Sequence, residues 1–317
     1  MNNLLQLINI ATGLSPGDIL SIARSAPKRY KVYEIPKRSG GTRVIAQPSR
    51  ELKVIQRVLT DELLSELPVH NSAMAYRIGR NIKQNASRHR SSEVILKLDF
   101  ENFFPSIKTG DWIKFIRELK PEWASEGAAE LTKYIFFWGD GGYEPKCLSI
   151  GAPSSPAISN ILLYNFDTSI SKIANEEGVI YTRYADDITI SGANFDQVLK
   201  TEKRIRKVIK EMRSPRLRFN EKKRGLYSKG QRRMVTGLVI TPDRKVSMGR
   251  QRKREISALI HNYSLGKLDI EEVGKLKGLL GFANAVEKSF IRSMRRKYSD
   301  DIIDRIYATY IPRKMLK

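Results

Sequence analysis

Hydrophobic residues in the first third of the chain alternate between helical and strand spacing. Leu4, Leu7 and Ile8 share one helical face, whereas the residues from Tyr30 to Pro36 alternate in the way that is typical of a strand. In chain order the pattern predicts a short N-terminal helix, a second helix starting at Ser15-Pro16 and reaching about Ala26, a hairpin of Tyr30–Pro36 and Thr42–Ala46 around Gly40-Gly41, and a helix capped by Ser49 that reaches Leu67.

The middle of the chain mixes strands with helices, and its end is helical throughout. The predicted elements are an apolar strand at Glu93–Phe100, helices at Thr109–Leu119, Ser125–Trp138 and Pro156–Asn175, two strands in Val179–Gly192 with Ala185-Asp186-Asp187 at the tip, a basic helix at Asp196–Met212, strands around Arg216–Phe219 and Arg233–Ile240, and a very basic helical tail from Gly249. Met74 to Arg90 has no clear period. This order predicts an α+β fold with a helical appendage.

Composition and charge indicate a polyanionic partner. The 317 residues suit two or three subdomains rather than a single core. Lysine and arginine number 57 against 34 acidic residues, giving a net charge of +23. A sequence pI near 10.0 favours nucleic acid over an anionic membrane. No apolar run approaches the roughly 20 residues that span a bilayer, so no membrane partner is expected.

Cysteine content and the N-terminus give an expectation for the compartment. Cys147 is the sole cysteine, which excludes a disulfide framework and a cysteine-based zinc site within the chain. The segment from Met1 to Pro16 has no positive n-region and no convincing apolar core of a signal peptide. The expected location is the cytoplasm.

Paired carboxylates are the strongest chemical signal. Asp186 and Asp187 sit side by side at a predicted hairpin tip, where they repel each other unless a cation lies between them. Magnesium prefers carboxylates and substrate phosphates, so the tip is a candidate half-site, although aspartate is also common in plain turns. Asp99, at the end of the apolar strand, is the candidate for the second half, with a simple capping role as the alternative.

These two segments together resemble the palm of a reverse transcriptase. The similarity runs from about residue 30 to 245 and includes further motifs in the same order as in that family: Ile35-Pro36-Lys37, Gly40-Gly41, Arg43 to Pro48, Gly151-Ala152-Pro153-Ser154-Ser155-Pro156, and Asn220 with Lys223. The resemblance implies an RNA-directed DNA polymerase with a right-hand polymerase fold. Its expected parts are fingers at 1–92, a palm of antiparallel sheet and helices at 93–248, and a helical thumb at 249–317 that holds the duplex by its backbone.

The family resemblance also implies roles for individual residues. The metal site would hold two Mg²⁺ ions, with Mn²⁺ as an alternative, on Asp99, Phe100, Asp186 and Asp187, and the three aspartates would be catalytic. The implied nucleotide-binding residues are Lys37, Arg43, Phe104, Gly151, Ala152 and Lys223. Phe104 would exclude ribonucleotides, the alternative being a core aromatic beside Phe103, and Lys223 could equally be a surface lysine. Ile150 replaces the glutamine of many relatives, which puts sugar discrimination in question.

Three features resemble bacterial retron reverse transcriptases in particular: Asn85-Ala86-Ser87-Arg88-His89, Val235-Thr236-Gly237, and a short basic helical end. Read without the resemblance, the first is a helix end on a basic face and the second a strand with a bulge. The resemblance implies a cognate structured non-coding RNA, DNA synthesis primed from the 2′-hydroxyl of a guanosine within it, a branched RNA–DNA product (msDNA), and a role in anti-phage defence, with a co-encoded effector protein as a possible partner. Candidate RNA-binding residues are Arg77, Arg80, Lys83, Asn85, Arg88 and His89.

Two other functions stay open at this stage. One is a group II intron-like or other bacterial reverse transcriptase, although the chain lacks the maturase and endonuclease extensions of the intron enzymes. The other is a non-catalytic RNA-binding scaffold on a polymerase fold, although all three aspartates are present.

Overall fold

The computed structural model describes residues 2–37, 40–125 and 127–312. Contacts between residues divide the chain into two compact units. The first contains Met1–Gly79 and Leu96–Leu226, and the second contains Arg80–Ile95 and Tyr227–Lys317. The chain therefore leaves the first unit after Gly79, returns to it at Leu96 and leaves it again after Leu226, and the last two boundaries lie within strands.

The described residues form fifteen α-helices, nine strands and three 3₁₀ turns. The helices are Asn2–Thr12 (α1), Pro16–Ser25 (α2), Arg50–Glu62 (α3), Ile82–Arg88 (α4), Phe103–Ser106 (α5), Thr109–Leu119 (α6), Pro121–Ser125 (α7), Ala128–Phe136 (α8), Ser155–Leu162 (α9), Tyr164–Glu176 (α10), Phe195–Glu211 (α11), Arg250–Ser264 (α12), Ile270–Val286 (α13), Lys288–Tyr298 (α14) and Asp300–Ala308 (α15). The strands are Tyr30–Pro36 (β1), Thr42–Pro48 (β2), Val94–Asp99 (β3), Ile180–Tyr184 (β4), Asp187–Gly192 (β5), Gly225–Ser228 (β6), Arg233–Val235 (β7), Leu238–Ile240 (β8) and Val246–Ser247 (β9). The 3₁₀ turns are Ala26–Lys28, Leu64–Glu66 and Glu221–Lys223.

The strands form three sheets. β1 and β2 are an antiparallel hairpin, β4-β5-β3-β6 is a four-stranded sheet, and β7-β8-β9 is a small antiparallel sheet of the second unit. In the second sheet β4 and β5 are joined by the two residues Ala185 and Asp186, with Tyr184 paired to Asp187. The aspartate-bearing end of β3 therefore belongs to the same sheet as the aspartate-bearing hairpin.

Local capping and turn signals predicted several elements correctly. The Ser15 hydroxyl accepts a hydrogen bond from the Asp18 N–H at 3.2 Å, and the Ser49 hydroxyl accepts one from the Leu52 N–H at 3.4 Å. Each hydroxyl satisfies a backbone donor that the first helical turn leaves unpaired. The β1–β2 and β4–β5 hairpins also form where strand alternation predicted them.

Other predicted elements were wrong in extent or kind. The single helix expected from Pro156 to Asn175 is two helices, α9 and α10, which meet at Leu163. Residues 216–219 form no strand among the described residues, because only Phe219 pairs there, through one bridge to Phe100. A strand forms instead at β6, which the pattern did not predict. Arg233–Ile240 is a hairpin, since Thr236 and Gly237 both take left-handed φ values, +47° and +77°, as a tight two-residue turn requires.

The second unit has two apolar clusters. One lies between α4 and the β7–β9 sheet and includes Ala86, Val235 and Leu238. The other is formed by α12 to α15 and includes Ile256, Leu276 and Ile303. The Glu287 carboxylate links β9 to the start of α12. It accepts hydrogen bonds from the Ser247 hydroxyl in β9 at 2.9 Å and from the Lys253 ammonium in α12 at 2.5 Å.

The basic tail is helical from Arg250 onward, as predicted, although residues 313–317 of the expected thumb lie outside the described residues. No helix in the described part of the chain is both long and apolar enough to cross a membrane. The boundaries of fingers, palm and thumb stay a prediction.

Candidate active site

One backbone hydrogen bond joins the two segments that carry the aspartates. The Phe100 N–H donates to the carbonyl oxygen of Asp186 at 3.1 Å, so the residue after Asp99 is tied to the tip of the β4–β5 hairpin. Ala185, the first turn residue, has a left-handed φ of +59°, which lets the chain reverse within two residues. Asp99, Asp186 and Asp187 are thereby brought together in the first unit.

The electrostatics of Asp186 and Asp187 record this crowding. Burial, and next the charge of Asp99, raises the pKa of Asp186 above its usual range. Burial raises the pKa of Asp187 to about 6 against the opposing charge of Lys97, and the nearby Asp186 and Asp99 raise it further. Such shifts mean that the ionised carboxylates are costly without a neutralising cation. The donor set, with three carboxylates, therefore fits a hard divalent ion such as Mg²⁺.

Lys223 supplies positive charge at this site. Its ammonium donates to both carboxylate oxygens of Asp99, at 2.8 and 3.0 Å. The Asn220 N–H also donates to the carbonyl oxygen of Asp99 at 2.8 Å, which places the 3₁₀ turn that follows beside the end of β3. Within the described residues no three acidic, histidine or cysteine side chains are already grouped as a metal cage. A metal ion that binds Asp99 must therefore displace the Lys223 ammonium or share these oxygens with it.

A charged cluster on α11 anchors the segment that carries Lys223. Arg224 donates to both oxygens of the buried Glu202 at 2.7 and 2.6 Å, and Arg206 bridges Glu202 and Glu221. Burial alone would raise the pKa of Glu202, but the hydrogen bonds from Arg224 and Arg206 hold it below its usual range. The cluster gives Arg224 a structural role beside Lys223. Sequence reasoning missed Glu202, because its partner lies 22 residues away.

The β1–β2 hairpin brings candidate triphosphate ligands to the same unit. Lys37 and Arg43 are exposed at and near the turn of this hairpin. Arg43 lies close enough to Asp186 to oppose the rise of its pKa. The structure thus places Arg43 toward the aspartates, while the Lys37 N–H and carbonyl close the hairpin turn on Gly41 and Gly40.

Gly151 and Ala152 form a turn against β2. The Ala46 N–H donates to the carbonyl oxygen of Ile150 at 2.9 Å, and Gly151 follows with φ of +126°. A Cβ atom on Gly151 would lie 2.9 Å from the Ala46 carbonyl oxygen. Only glycine therefore fits this close approach, whereas Ala152 is buried beneath the turn.

Three aromatic residues after β3 differ in exposure. Phe100 is buried and stacks on Phe219 with ring centroids 5.1 Å apart and on Phe103 with centroids 5.7 Å apart. Phe104 is only partly buried, with its ring 5.3 Å from that of Phe103. The core role thus belongs to Phe103, and Phe104 keeps a surface that a ligand could contact. Its role as a ribonucleotide gate stays a prediction.

The candidate RNA-binding residues fall on both units. Arg77, in the first unit, donates to the carbonyl oxygens of His70 at 3.0 Å and Ala73 at 3.3 Å, so it also shapes its own loop. The others belong to the second unit, on or beside α4. Among these Arg88 is exposed and Arg80 and Lys83 are half-buried.

Asn85 and His89 are the buried members of this set, at 1% and 0% exposure. Burial, and next the charge of Arg88, lowers the pKa of His89 to about 3, so its imidazole is neutral. The amide of Asn85 has no hydrogen-bond partner among the described residues. Neither side chain presents a surface to a ligand here, and their RNA-binding role stays a prediction.

The two retron-like motifs contact each other within the second unit. The Thr236 hydroxyl donates to the Ile82 carbonyl oxygen at the start of α4 at 3.1 Å, and Val235 packs in the same apolar cluster as Ala86. The tight Thr236-Gly237 turn therefore positions a hydroxyl on the helix that carries Asn85 and the basic residues.

Gly151→Ala tests the glycine turn. The added methyl group must relieve a close contact with β2 while the backbone holds a φ that alanine rarely adopts, which costs about 1–3 kcal/mol. We expect a lower melting temperature and a raised KM for dNTP, measured by thermal unfolding and single-nucleotide extension. Gly110→Ala, in α6 with nothing near its added methyl group, is the matched control. Equal behaviour of the two variants would contradict the close-approach argument.

Glu202→Gln tests the cluster behind Lys223. Loss of the charge weakens the hydrogen bonds from Arg224 and Arg206, so we expect a destabilisation of about 1–3 kcal/mol and a lower rate of DNA synthesis. Thermal unfolding and steady-state primer extension measure the two effects. Glu211→Gln, on the same helix in an exposed pair with Lys207, is the control and should change neither. A Glu202 variant as active and stable as this control would show that the cluster is dispensable.

Comparison with known proteins places these features in a family. Residues 35–261 match the family model described as reverse transcriptase (RNA-dependent DNA polymerase). The retron Ec83 reverse transcriptase of Escherichia coli is 38% identical over 291 residues, which cover 91% of this chain and 93% of that protein. The retron Ec73 reverse transcriptase of the same species is 34% identical over 312 residues, with 93% and 95% covered.

A solved structure shares the fold at low sequence identity. Telomerase from Candida albicans, in complex with a fragment of telomeric RNA, superposes with a TM-score of 0.52 at 13% identity. The match covers 92% of this chain and 62% of the telomerase chain. This likeness confirms the predicted α+β polymerase fold.

Proposed function

Because this chain belongs to the reverse transcriptase family and is an RNA-directed DNA polymerase, we propose that it copies a cognate structured non-coding RNA into DNA, starting from a 2′-hydroxyl inside that RNA. The names of its relatives, which are retron reverse transcriptases, favour this over a group II intron-like enzyme. A branched RNA–DNA product and a role in anti-phage defence, with a co-encoded effector, belong to the same proposal.

The observation that carries the catalytic part is the convergence of three carboxylates, of which Asp99 is paired with Lys223 while burial and mutual repulsion raise the pKa values of Asp186 and Asp187. The raised pKa values of Asp186 and Asp187 support a divalent-ion site there. We assign the ion ligands to Asp99, Asp186 and Asp187, with Phe100 beside them. When bound, Mg²⁺ or Mn²⁺ would lower the pKa of the attacking hydroxyl and neutralise charge on the leaving pyrophosphate.

The surrounding residues have proposed roles in holding the nucleotide. Arg43 and Lys37 would neutralise triphosphate charge from the β1–β2 hairpin. Gly151 and Ala152 would lie under the nascent base pair, since their turn is fixed to β2. Lys223 would balance the charge of Asp99 before the nucleotide arrives and approach the pyrophosphate afterwards.

Asp186→Asn tests the metal site. The amide keeps the shape of the side chain but removes a negative ligand, so DNA synthesis should fall by far more than tenfold while RNA binding and the melting temperature stay nearly unchanged. Primer extension with dNTPs and Mg²⁺ measures the first and thermal unfolding the last. Asp61→Asn, at an exposed position of α3, is the control. Activity within about tenfold of the wild type would remove Asp186 from the site.

Phe104→Val tests sugar selection. A smaller side chain beneath the deoxyribose should admit a 2′-hydroxyl, so the ratio of rNTP to dNTP incorporation should rise. Single-nucleotide extension with each triphosphate measures this ratio. Phe103→Leu, which loosens the neighbouring aromatic stack, is the matched control and should leave the ratio unchanged. If both variants raise the ratio equally, the effect is general loosening and the gate lies elsewhere.

Self-priming demands that an internal hydroxyl of the RNA reach the aspartates while the remaining RNA is held aside. RNA junctions are recognised by shape, stacking and 2′-hydroxyl contacts, and basic side chains bind their phosphates. Arg80, Lys83 and Arg88 supply such charge around α4, which Asn85 and His89 would support from its buried side.

A chemical test of the product decides the priming mode. Purified enzyme and its co-purified RNA are supplied with dNTPs, and the product is treated with RNase and a debranching enzyme. We expect a 2′–5′ link that only the debranching enzyme removes. The control is the extension product of an ordinary annealed primer, which the debranching enzyme must leave uncut. An ordinary 3′–5′ junction in the native product would leave a reverse transcriptase but reject self-priming.

A further inference from the structure

A fully buried ion pair lies directly beneath the catalytic hairpin. Arg183 in β4 and Asp167 in α10 are both 0% exposed. The Arg183 Nε donates to Asp167 Oδ1 at 2.9 Å and its Nη2 donates to Oδ2 at 2.6 Å, which is the two-pronged geometry of a strong guanidinium–carboxylate pair. Sequence reasoning passed over both residues, although an arginine within the otherwise uncharged strand at 180–184 is a signal.

The third arm of the guanidinium reaches the hairpin turn itself. Arg183 Nη1 donates to the carbonyl oxygen of Ala185 at 3.1 Å and to Asn160 Oδ1 at 3.1 Å. The Asn160 amide nitrogen in turn donates to the Ala75 carbonyl oxygen at 2.9 Å. The Tyr181 hydroxyl donates to Asp167 Oδ1 at 2.6 Å and completes the network.

Such a network is costly to build and demands an arginine. The free energy lost by removing two charges from water is offset only when the ion pair and the remaining hydrogen bonds have excellent geometry. Burial would lower the pKa of Arg183, but its pairing with Asp167 outweighs this and raises the pKa, so the guanidinium stays charged. A lysine, with one compact ammonium, could not reach Asp167, Asn160 and Ala185 at once. Stability alone does not account for a buried ion pair with this desolvation cost, since apolar residues can fill a core equally well.

The bond to Ala185 helps to fix the direction of the Asp186 Cα–Cβ bond. The Ala185 carbonyl belongs to the planar peptide unit that precedes Asp186, and the Asp186 carbonyl belongs to the unit that follows it. Arg183 holds the first unit, and the Phe100 N–H holds the second. With both flanking peptide planes held, Asp186 has little rotational freedom in its backbone.

We propose that Arg183, held by Asp167, is a positioning residue that orients Asp186 for catalysis by pinning the Ala185–Asp186 peptide. This inference rests on the proposed role of Asp186 in the metal site. A carboxylate held within a fraction of an ångström is what phosphoryl transfer needs, because a shift of about 1 Å in a reacting group can cost about 100-fold in rate. The buried pair therefore contributes to the rate of the reaction and not only to the stability of the fold.

Three variants separate positioning from stability. Arg183→Lys keeps the charge beside Asp167 but removes the planar fork. A triple variant, Arg183→Met with Asp167→Leu and Tyr181→Phe, replaces the ion pair and the tyrosine hydroxyl bonded to it by apolar groups of similar size, which should keep the melting temperature near that of the wild type. Tyr181→Phe alone weakens the network but leaves the bond to Ala185 in place, so it is the matched control.

The measurements are the melting temperature, the Kd for primer–template, and kcat and KM for single-nucleotide incorporation, expressed per molecule that binds primer–template. We expect kcat to fall about tenfold or more in Arg183→Lys and in the triple variant, with Kd and KM within about twofold of the wild type, whereas Tyr181→Phe keeps its kcat. We also expect the wild type to bind Mn²⁺ more tightly than the triple variant does. Calorimetry in the absence of nucleotide measures this difference.

The outcomes are distinct. A triple variant or an Arg183→Lys variant with wild-type kcat would overturn the positioning role. A Tyr181→Phe variant that loses as much activity as the other two would overturn it as well, because weakening of the network would then explain every loss. If Asp186→Asn itself stays active, the proposed metal site fails, whereas an inactive Asp186→Asn beside an active triple variant overturns the positioning role alone.

Discussion

The hydrogen bond from the Phe100 N–H to the Asp186 carbonyl is the constraint on which the active site depends. It joins the tip of the β4–β5 hairpin to the end of β3, two segments that are far apart in the sequence, and it extends the pairing of β3 with β5 in the sheet. Neighbouring contacts support this junction. The phenylalanine rings of residues 100, 103 and 219 stack behind it, and the Asn220 N–H closes the other side through Asp99.

Much of the fold could be predicted because its signals are local. A serine before a helix satisfies a donor within three residues, and the two hairpins reverse over short turns, so β1–β2, β4–β5 and the start of α3 follow from neighbouring residues alone. The meeting of Asp99 with the hairpin tip could not be derived in this way. It came from the family resemblance, which supplies long-range pairing that spacing and periodicity cannot.

The elements that were wrong or missed depend on distant partners. α4 lies in a polar stretch and is stable because its apolar side rests on the β7–β9 sheet, about 150 residues further along the chain. The interruption at Leu163 and the strand at β6 have no local marker either. Within the site, Glu202 and Asp167 escaped notice for the same reason, since a carboxylate on a helix is ordinary until its arginine is known.

The contact between Lys223 and Asp99 supplies a positive charge at the proposed metal site before an ion binds there. The half-exposed Lys223 already places its ammonium against the most deeply buried of the three carboxylates, so the chain carries its own counter-ion. We therefore expect the chain to fold without a divalent ion, unlike proteins whose structure forms only around a metal. Under the proposed function, arrival of the ion at Asp99 would exchange one cation for another or add a second cation to the same oxygens. A lysine released in this way would be able to approach the negative charge that the reaction creates.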